Sequence, residues 1–571
     1  MIGYDSFLTE ELMKGTDWRA MERAVARVMS HCGWNDVKII GRRGDGGGDI
    51  LAKRKVAEGV EKIFVVQVKA VTGTRYVGPD ALQEAVDALA LYGGDVAVVA
   101  TNGDFTDSTK RRVQELSRHG FDCRIWNGKF LRELLQKWPN EHSEKRSPRP
   151  YQSKVINDSL QKYRQGGKAV QFVVATGLGK TTIAAEIVSH LRKDGLSRVL
   201  VLCHSQDLSL QLEQSFWPQL EKDVPTHVFF DGIPPKRFNG INFGTYQTLV
   251  NYLPSFEPNE FDVVVVDEAH HALSNGFLLC LNHLKPKLLI GMTATPWRGD
   301  GLSLNTVFGD PVAEVSLVDG MKMGYLAKVS YRIYCDTIDW QGVFEQDQAK
   351  SFSIRDLNKR LFIPQRDEAM IKDTIEVVSK TPNPRIIFFC SSVEHGKRVA
   401  DLVNLTGVLK CRPLSGISRV ERYRVLMEFS TGKIQAVTAV DVLNEGIDVP
   451  DVNIIVFLRV THSRRIFVQQ LGRGLRLSPN KKEVCVLDFV SDIRRIAEIL
   501  TMDAEAREQS RDPFATLYFP HGIVQFENTG ILPFVEQWLQ DITSLSSSDE
   551  KMILSFPPEV QSEESTRHHS Q

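Results

Sequence analysis

The chain of 571 residues holds eight cysteines (Cys32, Cys123, Cys203, Cys280, Cys335, Cys390, Cys411 and Cys485), and none of them forms a C-x-x-C pair. That scatter excludes a disulfide framework and a cysteine zinc site; it fits reduced, mostly buried thiols. Long apolar runs are missing too, since no stretch reaches the roughly 20 residues that a membrane helix needs. The start, MIGYDSFLTEELMK, is too acidic and too poor in apolar residues for a secretion signal. Charge of one sign is lacking as well. With a formal net charge of −1, a nucleic-acid partner must be met by local basic patches and not by a global field. No short repeat occurs. What remains is an ordinary globular composition, 42% hydrophobic and 25% charged, expected in the cytoplasm and away from membranes.

One core rarely organises so many residues, so roughly three or four domains are expected. PNEHSEKRSPRP at 139–150 is polar and proline-punctuated and reads as a linker. The stretch near 340–365 is irregular, and the tail from Ser544 reads as disordered. Between these breaks, an apolar run, a turn and an amphipathic segment recur, as in PRIIFFCSSVEHGKRVADLVN. That alternation predicts an α/β multidomain chain with two tandem parallel sheets. The expected division is 1–137, a linker 138–150, 151–325, a connection 326–369, 370–495, a region 496–543 without assigned chemistry, and a tail 544–571.

The most specific stretch is VVATGLGKTT at 173–182. A buried strand runs into a loop holding Thr176, Gly177 and Gly179, and Lys180, Thr181 and Thr182 open a helix. Loop amides and a helix N-terminus cradle phosphate; Lys180 reaches the β- and γ-phosphates of ATP and Thr181 ligates Mg²⁺. The strict pattern has a further glycine where Val174 stands. A plain strand–helix turn does not ask for Gly-Lys-Thr. FDVVVVDEAHH at 261–271 then delivers Asp267 and Glu268 to a strand's C-terminal edge, Asp267 for Mg²⁺ and Glu268 for the attacking water.

Lys180–Thr181, DEAH at 267–270, TATP at 293–296, VDVLNEGIDVP at 440–450 and QQLGRGLR at 469–476 resemble, in order, the motifs of superfamily 2 helicases. The resemblance covers roughly 149–495 and implies two RecA-like domains. It sets Gln152 of RPYQ against adenine and gives Arg473 and Arg476 charge on the γ-phosphate. It makes Gly446 and Asp448 nucleotide contacts of the second domain. It gives His270, Thr293 and Thr295 the coupling of hydrolysis to domain movement, and GTYQTL at 244–249 the tracking of a strand. An arginine supplied by a second domain makes hydrolysis depend on closure.

The front of the chain holds GRRGDGGGDILAKR at 41–54. Gly and Asp together read first as a turn; the sharper reading is a metal or phosphate site, where backbone passes close to a ligand. A helix carrying Glu22 precedes it. A strand, KIFVVQVKA, follows, on which Gln67 and Lys69 point the same way, and Asp49 is the expected partner for them. Glu22, Asp49, Gln67 and Lys69 could then cleave phosphodiesters, with Mg²⁺ on the carboxylates and Lys69 on the water. By spacing alone, an Asp49–Lys69 salt bridge at a sheet edge is equally open.

The stretch from Trp18 to Leu134 resembles Mrr-like restriction endonucleases of the PD-(D/E)xK fold, through ME at 21–22, GDGGGDI at 44–50, QVK at 67–69, VVATNGDFT at 98–106 and WNGKFLREL at 126–134. The resemblance implies Asp49 as a metal ligand and Lys69 as catalytic. Gln67 stands where the wider fold often has an acid. On this reading the glycines bring backbone near a phosphate and Asp45 is a turn residue. Together the two resemblances imply an ATP-driven DNA translocase carrying a metal-dependent endonuclease of type II or IV character, in bacterial restriction or anti-phage defence, with DNA and accessory subunits as partners. The alternatives are a repair helicase with a non-cleaving front domain and an ATP-switched nucleic-acid sensor.

Overall fold

The computed structural model describes residues 6–40, 47–72, 75–230, 232–294, 303–334, 351–353, 367–440, 452–458, 474–475, 477, 481, 483–489, 517–518 and 553–555. They build three large sheets; the front sheet has its own core, whereas one apolar cluster runs through the middle sheet and one face of the third, whose other face packs separately.

The front sheet holds β1 (Asn35–Ile39), β2 (Ile50–Ala57), β3 (Val60–Lys69), β5 (Val96–Thr101) and β7 (Asp122–Trp126), in that spatial order, and a small pair, β4 (Tyr76–Val77) and β6 (Asp104–Phe105), stands apart from it. β1, β2 and β3 are antiparallel, whereas β3, β5 and β7 are parallel. A short helix α1 (Glu10–Lys14) leads to α2 (Trp18–His31), which Asp17 caps by accepting from Ala20 N. Strand alternation sorts the two faces. Ile50, Ala52, Phe64, Val66 and Val68 pack in one core with Met21, Val25, Val28 and Met29 of α2. Leu51 and Val65 face the other way, onto Ala88 and Tyr92 of α3 (Asp80–Tyr92). Asp49, Gln67 and Lys69 share that second face by the same alternation.

The middle sheet joins β8 (Ala169–Val174), β9 (Val199–Cys203), β10 (Thr226–Phe229), β11 (Ile241–Thr245), β12 (Val263–Asp267), β13 (Leu288–Thr293) and β14 (Pro311–Val315) in the order β10-β11-β9-β12-β13-β8-β14, all parallel. Runs such as VLVLC and VVVVD are buried along their whole length, as strands covered on both faces must be.

The third sheet, also all parallel, holds β15 (Lys328–Tyr334), β17 (Ile386–Phe389), β18 (Cys411–Pro413), β19 (Ala436–Ala439), β20 (Ile454–Leu458), β21 (Glu483–Phe489) and β22 (Leu517–Tyr518), ordered β18-β19-β17-β20-β21-β15-β22. Two details differ from the sequence reading. β15 comes from the stretch read as a connection, because KVSYRIY has the alternation of a strand and pairs along all of β21. β23 (Ile553–Ser555), within the tail read as disordered, pairs antiparallel with β16 (Ser351–Ser353), since MILSF supplies an apolar run there.

The front and middle domains are pinned together. Trp217, just past the middle-domain helix Gln206–Phe216, is 2% exposed and belongs to the front domain's core. Arg27 of α2 donates to the carbonyls of Val224 (2.8 Å) and Glu221 (3.2 Å), and Arg23 pairs with buried Glu213 at 3.2 Å. Trp217→Ala should therefore cost about 3–5 kcal/mol through the cavity it leaves. A fall in the denaturant midpoint of the full chain checks this, and an unchanged midpoint would contradict it.

Among the described residues no cysteine forms a disulfide, and all of these but Cys485 are buried. No helix among them is long and apolar enough to cross a membrane.

Candidate functional sites at two sheet edges

At the middle sheet, register gathers the sequence motifs at one edge. Asp267 stands beside Met292 and Thr293 beside Val173, so β12, β13 and β8 end together. The loop after β8 turns through Gly177 (φ +88°) and Gly179 (φ +82°), and the helix Lys180–Lys193 begins at once. At Gly179 the left-handed backbone favours glycine, and a Cβ there would push on Gln152 Nε2 at 2.6 Å. Gln152 is locked to this loop: Nε2 donates to Leu178 O at 2.9 Å, and Oε1 accepts from Arg149 N at 2.9 Å. Tyr151 also donates its hydroxyl to Leu178 O. Thr176, Thr181 and Thr182 flank the loop, half-buried.

Glu268 has a left-handed backbone (φ +48°), a strained state for a residue with a Cβ that costs about 1–3 kcal/mol and clusters at functional sites. There its carboxylate forms an ion pair with Lys180, whose ammonium also lies 3.8 Å from buried Asp267. His270 Nδ1 is 3.0 Å from Thr293 Oγ1 and 3.4 Å from Glu268 Oε2, linking β12 to β13. Burial acts to raise the Glu268 carboxyl, but the charges of Lys180 and then His270 overcome it and hold it below the usual carboxylate range. Glu268 is therefore ionised at neutral pH. A lysine between two carboxylates, beside a glycine cradle at a helix N-terminus, suits Mg²⁺ and a polyphosphate.

Thr295, Gly446, Asp448, Arg473 and Arg476 lie outside the described residues, as does Asp45.

At the front sheet, the β2–β3 register that pairs Ile50 with Val66 sets Asp49 beside Gln67. Asp49 (5% exposed) accepts from Val68 N at 2.6 Å. Gln67 is 7% exposed, and its carbonyl oxygen has no hydrogen-bond partner among the described residues. A buried orphan acceptor beside a carboxylate fits a cation. Glu22 is buried on α2, the helix covering the opposite face. Lys69 does not take the expected Asp49 partner. Its ammonium reaches outward to Glu84 of α3 at 2.6 Å, a residue the sequence reading did not single out. Gly47 (φ +91°) does allow a close approach, and the backbone it meets is that of Glu84, where a Cβ would lie 2.6 Å from the carbonyl oxygen. Among the described residues, no three His, Cys, Asp or Glu side chains gather as a metal site.

Comparison with known proteins finds relatives for each region of the chain. Residues 13–135 match the family model "Restriction endonuclease", 145–298 match "Type III restriction enzyme, res subunit", and 368–478 match "Helicase conserved C-terminal domain". The chain is 24% identical over 357 residues to the putative ATP-dependent helicase IRC3 of Saccharomyces cerevisiae, covering 60% of this chain and 51% of the relative. It is 26% identical over 401 residues to the type I restriction enzyme EcoAI endonuclease subunit of Escherichia coli, covering 64% and 49%. The chain thus spans about half the length of these curated relatives. The ATP-dependent Type ISP restriction-modification enzyme LlaBIII, solved bound to DNA, shares the fold at a TM-score of 0.50 and 17% identity, over 85% of this chain and 37% of that one.

Proposed function

From a chain that joins a restriction-endonuclease domain to the two halves of a helicase, we propose an ATP-driven DNA translocase or helicase that carries a metal-dependent DNA endonuclease and serves bacterial restriction or anti-phage defence. The observation that carries it is the Lys180–Glu268–Asp267 cluster beside a glycine phosphate loop, in one chain with the Asp49–Gln67–Lys69 edge.

In the motor, Lys180 exchanges Glu268 for the β- and γ-phosphates of ATP, which frees the Glu268 carboxylate to orient the attacking water. Thr181 and Asp267 would hold the Mg²⁺, Gln152 stands at the adenine side, and Thr176, Gly177, Gly179 and Thr182 shape the cradle. His270 and Thr293 relay the nucleotide state from β12 to β13, with Thr295 continuing that relay. Gly446, Asp448, Arg473 and Arg476 close the cleft from the second domain, by resemblance to the helicase motifs.

In the nuclease, Asp49 and the Gln67 side-chain carbonyl would hold Mg²⁺, whose Lewis acidity would activate the phosphodiester and the attacking water; Glu22, expected from the sequence as a further ligand, stands on the helix across the sheet. Lys69 orients that water. DNA contacts come from local lysines and arginines, so affinity should fall steeply from low to physiological salt; constant binding across that range would contradict it. Accessory subunits of a defence system are further partners in this reading.

The deciding experiment incubates the full chain with plasmid and linear DNA and Mg²⁺, with and without ATP. DNA-stimulated ATP hydrolysis together with metal-dependent cutting is expected. Two observations favour a second reading, a helicase whose front domain binds DNA without cutting: Gln67 is neutral, and no three His, Cys, Asp or Glu side chains gather among the described residues. ATPase activity with no cutting of any DNA would select it.

A further inference from the structure

We infer that Glu84 is the positioning residue of the nuclease centre: from a neighbouring helix it supplies the negative charge that Gln67 does not, and so fixes the Lys69 ammonium at the edge that carries Asp49. The inference rests on the nuclease reading above.

Lys69 ends β3 with its side chain 35% exposed, and Glu84 is its ion-pair partner at 2.6 Å. An acid at position 67 would share a strand face with Lys69 and balance it there. Glutamine cannot, so the counter-charge must come from another element. α3 is the element that packs on this face.

A second contact ties Glu84 to the metal side of the site. Gly47, two residues before Asp49, lies against the Glu84 backbone, and any side chain at 47 would collide with it. The turn that carries Asp49 and the helical turn that carries Glu84 are therefore built against each other. Lys69 is held by one and Gln67, beside it on the strand, faces the other. The Gln67 side-chain carbonyl is a buried acceptor without a hydrogen-bond partner among the described residues, an atom suited to a ligand at this edge. Glu84 is committed to Lys69, so its part is to aim the lysine and not to bind the cation.

The test compares cleavage of plasmid DNA by the full chain for wild type, Glu84→Gln, Glu84→Asp and Asp87→Asn, with Mn²⁺ affinity measured by calorimetry. Asp87→Asn removes the same charge from the same helix, where Asp87 pairs with Gln83 and not with Lys69. Glu84→Gln should lower kcat by about 10²-fold through a misplaced lysine, with KM for DNA and Mn²⁺ affinity unchanged. Glu84→Asp should recover part of the rate, and Asp87→Asn should cut like wild type. Wild-type cutting by Glu84→Gln, or equal losses in Glu84→Gln and Asp87→Asn, would overturn the inference. So would a tenfold or greater loss of Mn²⁺ affinity in Glu84→Gln, which would make Glu84 a metal ligand. A wild type that neither cuts nor binds Mn²⁺ removes the nuclease reading itself, and the inference with it.

Discussion

Lys180→Ala is expected to abolish ATP hydrolysis, with DNA-stimulated turnover falling on the order of 10³-fold, the scale on which a cation at transferring phosphate acts. Phosphate release checks it, and wild-type turnover would show that the loop after β8 is not the nucleotide site. The same substitution carries a second signature. Lys180 is the nearest cation to Glu268 and lies 3.8 Å from Asp267, both poorly exposed. Breaking a buried pair by deleting one partner leaves a charge uncompensated and costs about 3–5 kcal/mol. In wild type the Glu268 carboxyl is held below its ordinary range, so its contribution to stability is present above the unfolded-state glutamate range and is lost as pH falls through the lowered value. Without Lys180, burial acts with less opposition and the carboxyl moves up. The variant should then lie closest to wild type in acid and fall further behind as pH rises toward 8. Thermal unfolding from pH 5 to 8 reads this directly, and a gap independent of pH would sink the argument.

The motor edge was legible in the sequence because its parts lie in contiguous runs. VVATGLGKTT holds strand, loop and helix start together, and VVVVDEAH brings its carboxylates at the end of a buried strand. What escaped depends on distant approach. Glu84 stands 15 residues beyond Lys69 on DALQEAVDALALY, an ordinary amphipathic helix, and only the packing of α3 on the sheet brings the two together. Gly47 looked like a phosphate-loop residue, yet its close neighbour is that same helix. The joint between front and middle domains is further still from local pattern: Arg27 and the Val224 carbonyl are 197 residues apart. Trp217 reads as one more apolar residue after a helix until the front core closes around it.

Lys69→Ala is expected to remove DNA cleavage while DNA-stimulated ATP hydrolysis continues. A group that orients or activates the attacking water contributes about 10²–10⁴-fold, so nicking should drop into background. Misfolding cannot account for such a loss here. The Lys69–Glu84 pair is 35% and 47% exposed, and a pair so open to water is worth only about 0–1 kcal/mol. The unfolding midpoint should thus scarcely move, in contrast to Lys180→Ala, which takes the lysine from buried Asp267 and poorly exposed Glu268. The two variants therefore separate the two chemistries by stability as well as by product. Crossing them resolves the remaining link. If Lys180→Ala also loses cleavage in the presence of ATP, the motor licenses the cut, as the contacts at Trp217, Arg23 and Arg27 would allow. If it cuts as well as wild type, the nuclease works independently of the motor. Cleavage that survives Lys69→Ala intact would place the reactive edge elsewhere and return the front domain to a DNA-binding role.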